Sequence, residues 1–363
     1  MKNIKLIALV GVAATATLAM AGCSSSNSGS SGSASIAGAS CQSGAIKSSG
    51  SSAQKNAITQ WINSYQQACT DATIDYQANG SGAGIQDFIN GQTAFAGSDS
   101  AIKDADLTSA SQRCAKGPAI NLPMVGGAIV GAYNISGVSN LTLTPAVLAG
   151  IYANQITKWN DKAITGINPG VNLPDASIVQ FHRSDSSGTT DNFTQYLSAN
   201  APNVWKFTAG KDWVAPGGQG AKGNDGVASS VKSTANSIGY IELSFAQDQN
   251  LNLASIDNGS GPVAPSAQTA SVALAQAQVI GTGNNLVLKL DYSTKQAGAY
   301  PLVLITYEIT CQSGLPSDQL GLTKAFLTYT VSSDAQGELS SIGYAPIPAD
   351  LLTKVTTAVN AIS

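Results

Sequence analysis

Charged residues are scarce in this chain. Only 11% of its 363 residues are Asp, Glu, Lys or Arg, and the net charge is −3. A protein that binds nucleic acid needs a concentrated positive surface to neutralise phosphates, and no basic cluster occurs here, so we predict no nucleic-acid partner. The length and the 43% hydrophobic content suffice for one large or two ordinary domains with a core, which excludes wholesale disorder.

Histidine is almost absent, since His182 is the single one in the sequence. This scarcity argues against a multi-histidine metal site and leaves a Ser-His hydrolase one possible base. No Gly-x-Ser-x-Gly elbow, metal-ligand cluster or cofactor motif accompanies it. We therefore predict no catalytic residue, no metal and no cofactor, and we expect His182 to pack or lie at the surface. A hydrolase remains the enzyme alternative, and an adhesin or surface scaffold the non-enzyme one.

The chain opens with two lysines and an apolar run over Leu6–Met20, which is too short for a good membrane span. The run ends in Ala21–Cys23, which resembles a bacterial lipoprotein cleavage box with Cys23 as the lipidated residue. An ordinary cleaved secretory signal is the alternative. We predict a signal peptide over 1–22 and a flexible Ser/Gly-rich tether over 23–40, which would anchor the protein by lipid to the extracytoplasmic face of the cell membrane.

The other four cysteines are Cys41, Cys69, Cys114 and Cys311, and no CxxC spacing occurs among them. In an exported protein an even number of cysteines without metal spacing indicates disulfides. We expect two disulfide bonds. The sequence by itself allows three pairings of these residues.

Short strand-like runs alternate with amphipathic helical patterns along the body. Apolar residues recur at helical spacing over Ala53–Ala68, and Thr73–Gln77 and Thr93–Gly97 have the composition of strands. Ile178–Phe181 is a further strand, and Asn192–Ala199 is predicted as helix. The repeated strand-then-helix order favours α/β layers with mostly parallel sheets, divided into two domains because of the length.

Three predicted strand-to-helix turns share serine and glycine: Ser49–Ala53, Gly80–Gly84 and Asp185–Thr189. Small residues at the first turn of a helix let an anion reach free backbone N–H groups, and serine hydroxyls add donors. Any one of these turns is explained equally well by ordinary helix capping. Together, and with Arg183 beside the third, they predict an anion site at the carboxyl ends of the strands.

Asp99 follows a predicted strand among these turns. An ionised carboxylate can only accept a hydrogen bond, so it would suit an anion that still carries a proton, such as phosphate, and repel sulfate. Its alternative role is to cap a helix that begins near Ala101.

Several ordered motifs resemble one known family. The chain is similar to the substrate-binding lipoproteins of bacterial high-affinity phosphate importers, the PstS family of ABC-transporter binding proteins, from about Ser48 to the C-terminal region. The motifs are Tyr76–Gly84, Gly97–Asp99, Leu122–Gly127, Leu148–Asp161, Arg183–Thr189, Gly220–Gly226, Ser237–Glu242 and Tyr300–Leu302.

This resemblance implies a monomeric, non-enzymatic solute-binding protein that captures inorganic phosphate, as HPO4 or H2PO4, between two domains and delivers it to an ABC import permease in the membrane. The implied fold is α/β, a two-domain periplasmic-binding-protein-like (type II) fold with a hinge of two crossover strands. Domain I would comprise 41–128 and 302–363, and domain II 129–301. The hinge crossings would lie near Val125–Tyr133 and Gly298–Leu304.

The resemblance also implies the ligand contacts. Asp99 would accept the phosphate proton, Arg183 would be the one cationic contact, and Asp185 would hold the Arg183 guanidinium in place. It further favours the disulfides Cys41–Cys311 and Cys69–Cys114. The implied phosphate-binding residues are Ser52, Ala53 (through its amide), Ser81, Asp99, Arg183, Ser187, Gly188 and Thr189.

Overall fold

The computed structural model describes residues 35–102 and 104–363, so the predicted signal peptide, Cys23 and most of the predicted tether lie outside the described residues. The strands are β1 (Ser35–Ile36), β2 (Ala39–Ser40), β3 (Gly44–Gly50), β4 (Ala72–Gln77), β5 (Phe95–Ser98), β6 (Ala119–Asn134), β7 (Thr142–Leu143), β8 (Val179–Arg183), β9 (Gln219–Ala221), β10 (Ser237–Glu242), β11 (Asn252–Leu253), β12 (Ser255–Asp257), β13 (Pro262–Val263), β14 (Gln278–Val279), β15 (Leu288–Lys289) and β16 (Val303–Cys311). The helices are α1 (Lys55–Ala68), α2 (Ser81–Ile89), α3 (Asp104–Arg113), α4 (Pro145–Tyr152), α5 (Lys162–Thr165), α6 (Gly188–Asn200), α7 (Gly223–Ser233), α8 (Leu243–Asp248), α9 (Ala267–Leu274), α10 (Ser317–Thr330), α11 (Ser333–Glu338) and α12 (Ala349–Asn360), with a 3-10 turn at Leu339–Ile342.

The helical spacing in the first part of the body predicts the buried face of α1 except at its last residue, Ala68, which is exposed. Ala57, Ile58, Trp61, Ile62 and Tyr65 are all buried on that helix. Residues at this spacing lie on one side of an α-helix, and here that side packs into the core of the body. The predicted helix Asn192–Ala199 lies within α6, which begins at Gly188 in the predicted strand-to-helix turn Asp185–Thr189.

One mixed sheet organises the body, with its strands in the order β4-β3-β5-β16-β6-β10-β8-β9 and β11 paired to β6. The predicted parallel pairing occurs at its two ends, in β3 with β4 and β5 and in β8 with β9 and β10. The centre differs, because β16 and β6 are antiparallel to each other and to their outer neighbours. A chain that crosses from one half to the other and returns produces this antiparallel centre.

Strand β6 belongs to both halves of the sheet. Its residues 119–128 pair with β16, and its residues 129–134 pair with β10. We call β3, β4, β5, β16 and 119–128 of β6 the first lobe, and β8, β9, β10 and 129–134 of β6 the second lobe. At the change of partner, the Ile129 amide donates to Leu302 O at 2.9 Å, so the outgoing and returning segments are bonded side by side.

A bulge interrupts the β6–β16 ladder beside the predicted anion site. Thr306 pairs with Val125, but Tyr307 pairs with Pro123, so Met124 is the extra residue. Proline has no N–H to give to a ladder, and strand prolines therefore occur at bulges such as this one. The bulge lies at Thr306, whose side chain enters the site described below.

The predicted tether extends too far towards the body. Ser35–Ile36 and Ala39–Ser40 form an antiparallel hairpin, and Ala39 is only 2% exposed. Ile36 packs against the same core. The folded body therefore begins by Ser35 rather than at Cys41, because two apolar side chains in a Ser/Gly-rich segment suffice to bind it to the adjacent core.

The predicted disulfide pairing is wrong. The structure forms Cys41–Cys69 and Cys114–Cys311 rather than Cys41–Cys311 and Cys69–Cys114. Sheet register explains the difference. Cys41 and Cys69 precede the neighbouring starts of parallel β3 and β4, where Gly44 pairs with Ala72, and Cys311 ends β16 opposite Ala119, the residue that begins β6 shortly after Cys114.

A hairpin from the predicted domain II contacts the first lobe. The Leu286 amide donates to Asn121 O at 2.9 Å, and the Leu288 amide donates to the Tyr307 hydroxyl at 3.1 Å. Asn285 Oδ1 accepts from the Asn121 amide at 2.9 Å. The segment between α9 and β15 is therefore bonded to the first lobe, although it precedes the return crossing in sequence.

Candidate functional site

Four turns from the two lobes converge at the carboxyl ends of the strands. The first lobe supplies the segments before α1, at the start of α2 and after β5, and the second lobe supplies the segment between β8 and α6. A cavity of about 680 Å³ opens between the lobes and is bordered by Asp99. The predicted side chains themselves are buried. Their exposures are 2% for Ser52, 0% for Ala53, 1% for Ser81, 4% for Asp99, 1% for Arg183 and 0% for Ser187 and Thr189.

The Asp99 carboxylate is surrounded by hydroxyl donors. Its Oδ1 accepts from Ser51 Oγ at 2.5 Å and from Thr306 Oγ1 at 2.8 Å, and its Oδ2 accepts from Thr189 Oγ1 at 3.3 Å. Burial raises the pKa of Asp99 above its ordinary value, although these hydroxyls and Arg183 oppose the shift. The alternative role as a cap is excluded, because α3 begins at Asp104 and not near Ala101.

Arg183 is fixed by a carboxylate within its own turn. Its Nε donates to Asp185 Oδ1 at 2.8 Å, and its Nη2 donates to Asp185 Oδ2. Burial alone would raise the pKa of Asp185, but the Arg183 guanidinium and the Gly223 amide hold it below its ordinary value. The remaining Nη1 donates to Thr189 Oγ1 at 3.2 Å. One nitrogen of a buried guanidinium is thus directed towards the hydroxyl that contacts Asp99.

The two serines of the first turn make different contacts. Ser52 Oγ accepts from the amide and the side chain of Asn224 at 3.1 and 3.0 Å, which joins the two lobes. Ser51 Oγ donates to Asp99 and accepts from the Ala53 amide at 3.0 Å. Which of two adjacent serines faces a ligand depends on the rotation of the turn, and the sequence carries no signal for it.

The second and third turns contact each other across the lobes. Ser81 Oγ accepts from the Asp99 amide at 3.2 Å. Asn192 Nδ2 donates to both Asp99 O and Gly188 O at 2.8 Å. A Cβ placed on Gly188 would lie 2.6 Å from Asp99 Cβ and 2.7 Å from Ser81 Oγ, so only glycine permits this approach. Ser187 Oγ accepts from the Thr190 amide at 3.2 Å and caps α6.

Three helices begin at this site. They are α1, α2 and α6, which start at Lys55, Ser81 and Gly188. The N-terminus of a helix carries unsatisfied N–H groups and a partial positive charge, so it favours an anion. With Arg183 as the buried cation and Asp99 as the acceptor, the arrangement is chemically suited to a small anion that carries a proton.

Two polar side chains of the site, Ser51 and Thr306, were not predicted from the sequence. Thr306 lies on β16, whose sequence is mostly apolar. Ser51 is adjacent to Ser52, and the sequence does not distinguish the two serines. For Asn224 the sequence predicts a residue that shapes a turn near the cleft, with contact to the third turn as the alternative; it donates to Ser52, and its Nδ2 lies 3.5 Å from Thr189 Oγ1 of the third turn. Its Oδ1 accepts from the Glu242 amide at 2.8 Å. The Lys222–Gly226 motif was the one available signal for it.

Other features of the described chain give no indication of catalysis. The His182 ring stacks on Trp213 with centroids 4.8 Å apart, and its Nδ1 lies 3.0 Å from Arg183 O. Over residues 35–102 and 104–363, no cluster of three His, Cys, Asp or Glu side chains is placed to hold a metal ion. Within the same residues, no helix is both long enough and apolar enough to cross a bilayer.

Comparison with known proteins gives consistent matches. A family model described as a PBP superfamily domain matches residues 35–334. Phosphate-binding protein PstS3 of Mycobacterium bovis is 42% identical over 100% of both chains. Phosphate-binding protein PstS of Xylella fastidiosa is 33% identical and covers 82% of this chain and 80% of its own.

Solved structures share the fold at low identity. The phosphate-binding protein from Stenotrophomonas maltophilia has a TM-score of 0.70 at 16% identity, covering 86% of this chain and 93% of its own. A high-affinity periplasmic phosphate-binding protein solved with bound phosphate has a TM-score of 0.68 at 20% identity, with the same coverage. These likenesses show a two-domain type II periplasmic-binding-protein fold.

Proposed function

The chain belongs to the PstS family of the PBP superfamily, and from this premise we propose that it captures inorganic phosphate between its two lobes and delivers it to an ABC import permease. The role is transport rather than catalysis, in keeping with relatives named as phosphate-binding proteins. The ligand would be held by hydrogen bonds alone, with no covalent chemistry.

The observation that supports this function best is the line of contacts from Arg183 to Asp99. Arg183 Nη1 donates to Thr189 Oγ1 at 3.2 Å, and Thr189 Oγ1 donates to Asp99 Oδ2 at 3.3 Å. A buried cation and a buried acceptor therefore face each other across one hydroxyl, between helix N-termini of both lobes. Monohydrogen phosphate needs both groups, since its oxygens accept and its proton donates.

The proposed ligand contacts are those that the family resemblance implies. Ser52, the Ala53 amide, Ser81, Ser187, Gly188 and Thr189 would donate, Asp99 would accept the phosphate proton, and Arg183 would supply the charge. We add Ser51, Thr306 and Asn224 as side chains that orient this set. The hydroxyls that now contact each other would turn towards the anion when it is bound.

Binding would close the lobes about β6 and the segment that returns to β16. We propose domain I at 41–128 and 302–363 and domain II at 129–301, with the bond from the Ile129 amide to Leu302 O at the crossing as the support for these boundaries. The Asn285–Leu288 segment is the exception within domain II, because its contacts with β6 and β16 would make it move with the first lobe. We propose a monomer, anchored through a lipid on Cys23 at the extracytoplasmic face of the membrane.

Isothermal titration tests the function directly. The full chain carrying Cys23→Ser, which cannot be lipidated, is unfolded and refolded to remove carried-over ligand and then titrated with phosphate and with sulfate at pH 7. We expect one-to-one phosphate binding at micromolar affinity or tighter and no heat from sulfate. Tight sulfate binding would contradict the phosphate assignment, and release of phosphate from a generic phosphate ester would contradict the non-enzymatic role.

Gly188→Ala should weaken phosphate binding by at least about tenfold, because its methyl group would meet Asp99 Cβ and Ser81 Oγ at 2.6 and 2.7 Å in the closed arrangement. Titration gives the affinity, and small-angle scattering with saturating phosphate reports a larger radius of gyration than for the parent. Gly337→Ala is the matched control, since nothing lies within 4 Å of its added Cβ. An unchanged affinity in Gly188→Ala would refute the requirement for this close approach.

A further inference from the structure

Glu308 is a buried carboxyl that the proposed ligand contacts do not use. It lies on β16, pairs with Gly97 of β5 and Leu122 of β6, and is 1% exposed. Both of its carboxyl oxygens lack a hydrogen-bond partner among the described residues. An ionised carboxylate in such a place would be an unpaired charge in a low-dielectric core, which proteins avoid.

A second unpaired atom lies beside it. Gln54, at the N-terminus of α1, is 0% exposed, and its Oε1 has no hydrogen-bond partner in the described part of the chain. Glu308 pairs with Gly97, and a Cβ added to Gly97 would lie 2.1 Å from Gln54 Nε2, so the Glu308 and Gln54 side chains are neighbours on one face of the sheet. Burial raises the pKa of Glu308 to about 8, with Gln54 opposing the shift and the charge of Asp99 adding to it. A neutral carboxyl has one O–H, which is the donor that Gln54 Oε1 lacks.

From Gln54 a chain of hydrogen bonds leads to the first turn of the site. Gln54 Nε2 donates to the Tyr76 hydroxyl at 2.9 Å, and that hydroxyl donates to Ser51 O at 2.7 Å. Gly97 makes room for this chain, because an added Cβ would lie 2.1 Å from Gln54 Nε2 and 2.4 Å from the Tyr76 hydroxyl oxygen. The chain ends on the residue whose side chain contacts Asp99.

We propose that Glu308 is a positioning residue of the anion site: its protonated carboxyl donates to Gln54 Oε1, and the bonds continue through Tyr76 to the backbone of Ser51. This inference rests on the proposed function for its effect on binding, but the protonation of Glu308 does not. Loss of the proton removes the donor and adds a second negative charge that repels the charge of Asp99. Phosphate affinity therefore falls as Glu308 ionises.

Among the groups that face one another around Glu308, we expect Glu308 to be the one that changes its protonation between pH 6 and pH 9. The ionisable ones are Tyr76 of β4 and Asp99 after β5, while α1 contributes the neutral Gln54 and β6 the apolar Leu122. Burial holds the pKa of Tyr76 well above its ordinary value, so this phenol stays neutral. The other buried glutamate, Glu242, has a pKa raised to about 8 by burial as well, and its oxygen accepts from Ser244.

The test compares the parent with Glu308→Gln and Glu308→Leu in phosphate titrations from pH 6 to pH 9. Glutamine stays neutral and keeps an N–H donor, so we expect its affinity within about twofold of the parent at pH 6. Between pH 7 and pH 9 the parent should lose about tenfold more affinity than Glu308→Gln. Ionisation of phosphate and of Glu242 is common to both proteins and cancels. Leucine should weaken binding at every pH.

Infrared difference spectroscopy tests the proton itself. Subtraction of the Glu308→Gln spectrum from that of the parent at pH 7 should show the carbonyl stretch of a protonated carboxylic acid, which disappears by pH 9.5. Glu338→Gln, at a partly exposed glutamate on α11, is the control and should change neither the band nor the pH profile.

Parallel pH profiles for the parent and Glu308→Gln would overturn the positioning role, and a missing carboxylic-acid band would overturn the protonation. Failure of the parent to bind phosphate at any pH, with the band present, would instead refute the proposed function. A Glu308→Leu protein that does not fold leaves the comparison with glutamine intact.

Discussion

Replacement of Arg183 by methionine should reduce phosphate affinity about a thousandfold, which corresponds to about 4 kcal/mol. Methionine keeps much of the apolar stem but removes the only buried cation among the predicted contacts. It also leaves Asp185, which now accepts from two guanidinium nitrogens, as an unpaired carboxylate beside an incoming anion. Breaking one half of a buried pair costs about 3–5 kcal/mol for this reason. Titration with phosphate at pH 7 measures the loss.

Two further variants distinguish the loss of the Arg183 charge from the effect of leaving Asp185 without its partner. Arg183→Met combined with Asp185→Asn removes both charges, and we expect it to recover part but not all of the affinity. Lys158→Met disrupts an ion pair of similar length, 2.7 Å to Asp175, whose side chains are 56% and 66% exposed. Exposed pairs contribute little, so phosphate binding should be unchanged there. Retention of parental affinity by Arg183→Met would show that the anion is held elsewhere.

Asp99→Asn should relax the exclusion of sulfate far more than it harms phosphate binding. An amide presents N–H donors where the carboxylate presents only acceptors, so a fully ionised anion no longer meets an unpaired lone pair. A site built around one hydrogen-bonding group discriminates by about 10⁴ or more, and we expect sulfate to gain at least about a hundredfold relative to phosphate. Phosphate itself should weaken about tenfold. Competition titrations with both anions at pH 7 measure the ratio.

The pH dependence of the parent supplies an independent check on Asp99. Burial raises its pKa, so acidification converts the acceptor to a donor sooner than for an exposed aspartate. Sulfate binding should therefore appear in the parent as the pH falls through that raised value, and it should show no such onset in Asp99→Asn. Asp175→Asn at the exposed ion pair is the control. Continued exclusion of sulfate by Asp99→Asn would refute the selectivity mechanism, although phosphate binding could still hold.

Much of the site was visible in the sequence because its signals are local. Serine and glycine at a strand-to-helix turn indicate a helix N-terminus whatever surrounds it, and Arg183 and Asp185 are close enough along the chain to pair within one turn. The apolar spacing of α1 likewise depends only on helical geometry. The family was predicted from a resemblance, which depends on many such local motifs that occur in the same order along the chain.

The features that only the tertiary structure decided are contacts between residues far apart in the chain. The disulfides follow from which strand ends are neighbours in the sheet, and the parallel pairing of β3 with β4 brings Cys41 to Cys69. Thr306 and Glu308 belong to a strand that is buried on both faces, where alternation of polar and apolar residues carries no information.

The same limit applies to the choice between Ser51 and Ser52 and to the bonds that Asn224 makes across the lobes. A composition or a spacing specifies which element a residue belongs to and which helix face it occupies. Its partner in a distant segment is selected by how sheets, turns and helices pack together, because contact energies outweigh local preferences once the core has formed. The residue types of this site and the anion chemistry they favour were therefore determined by the sequence. The contacts among these residues were determined by the fold.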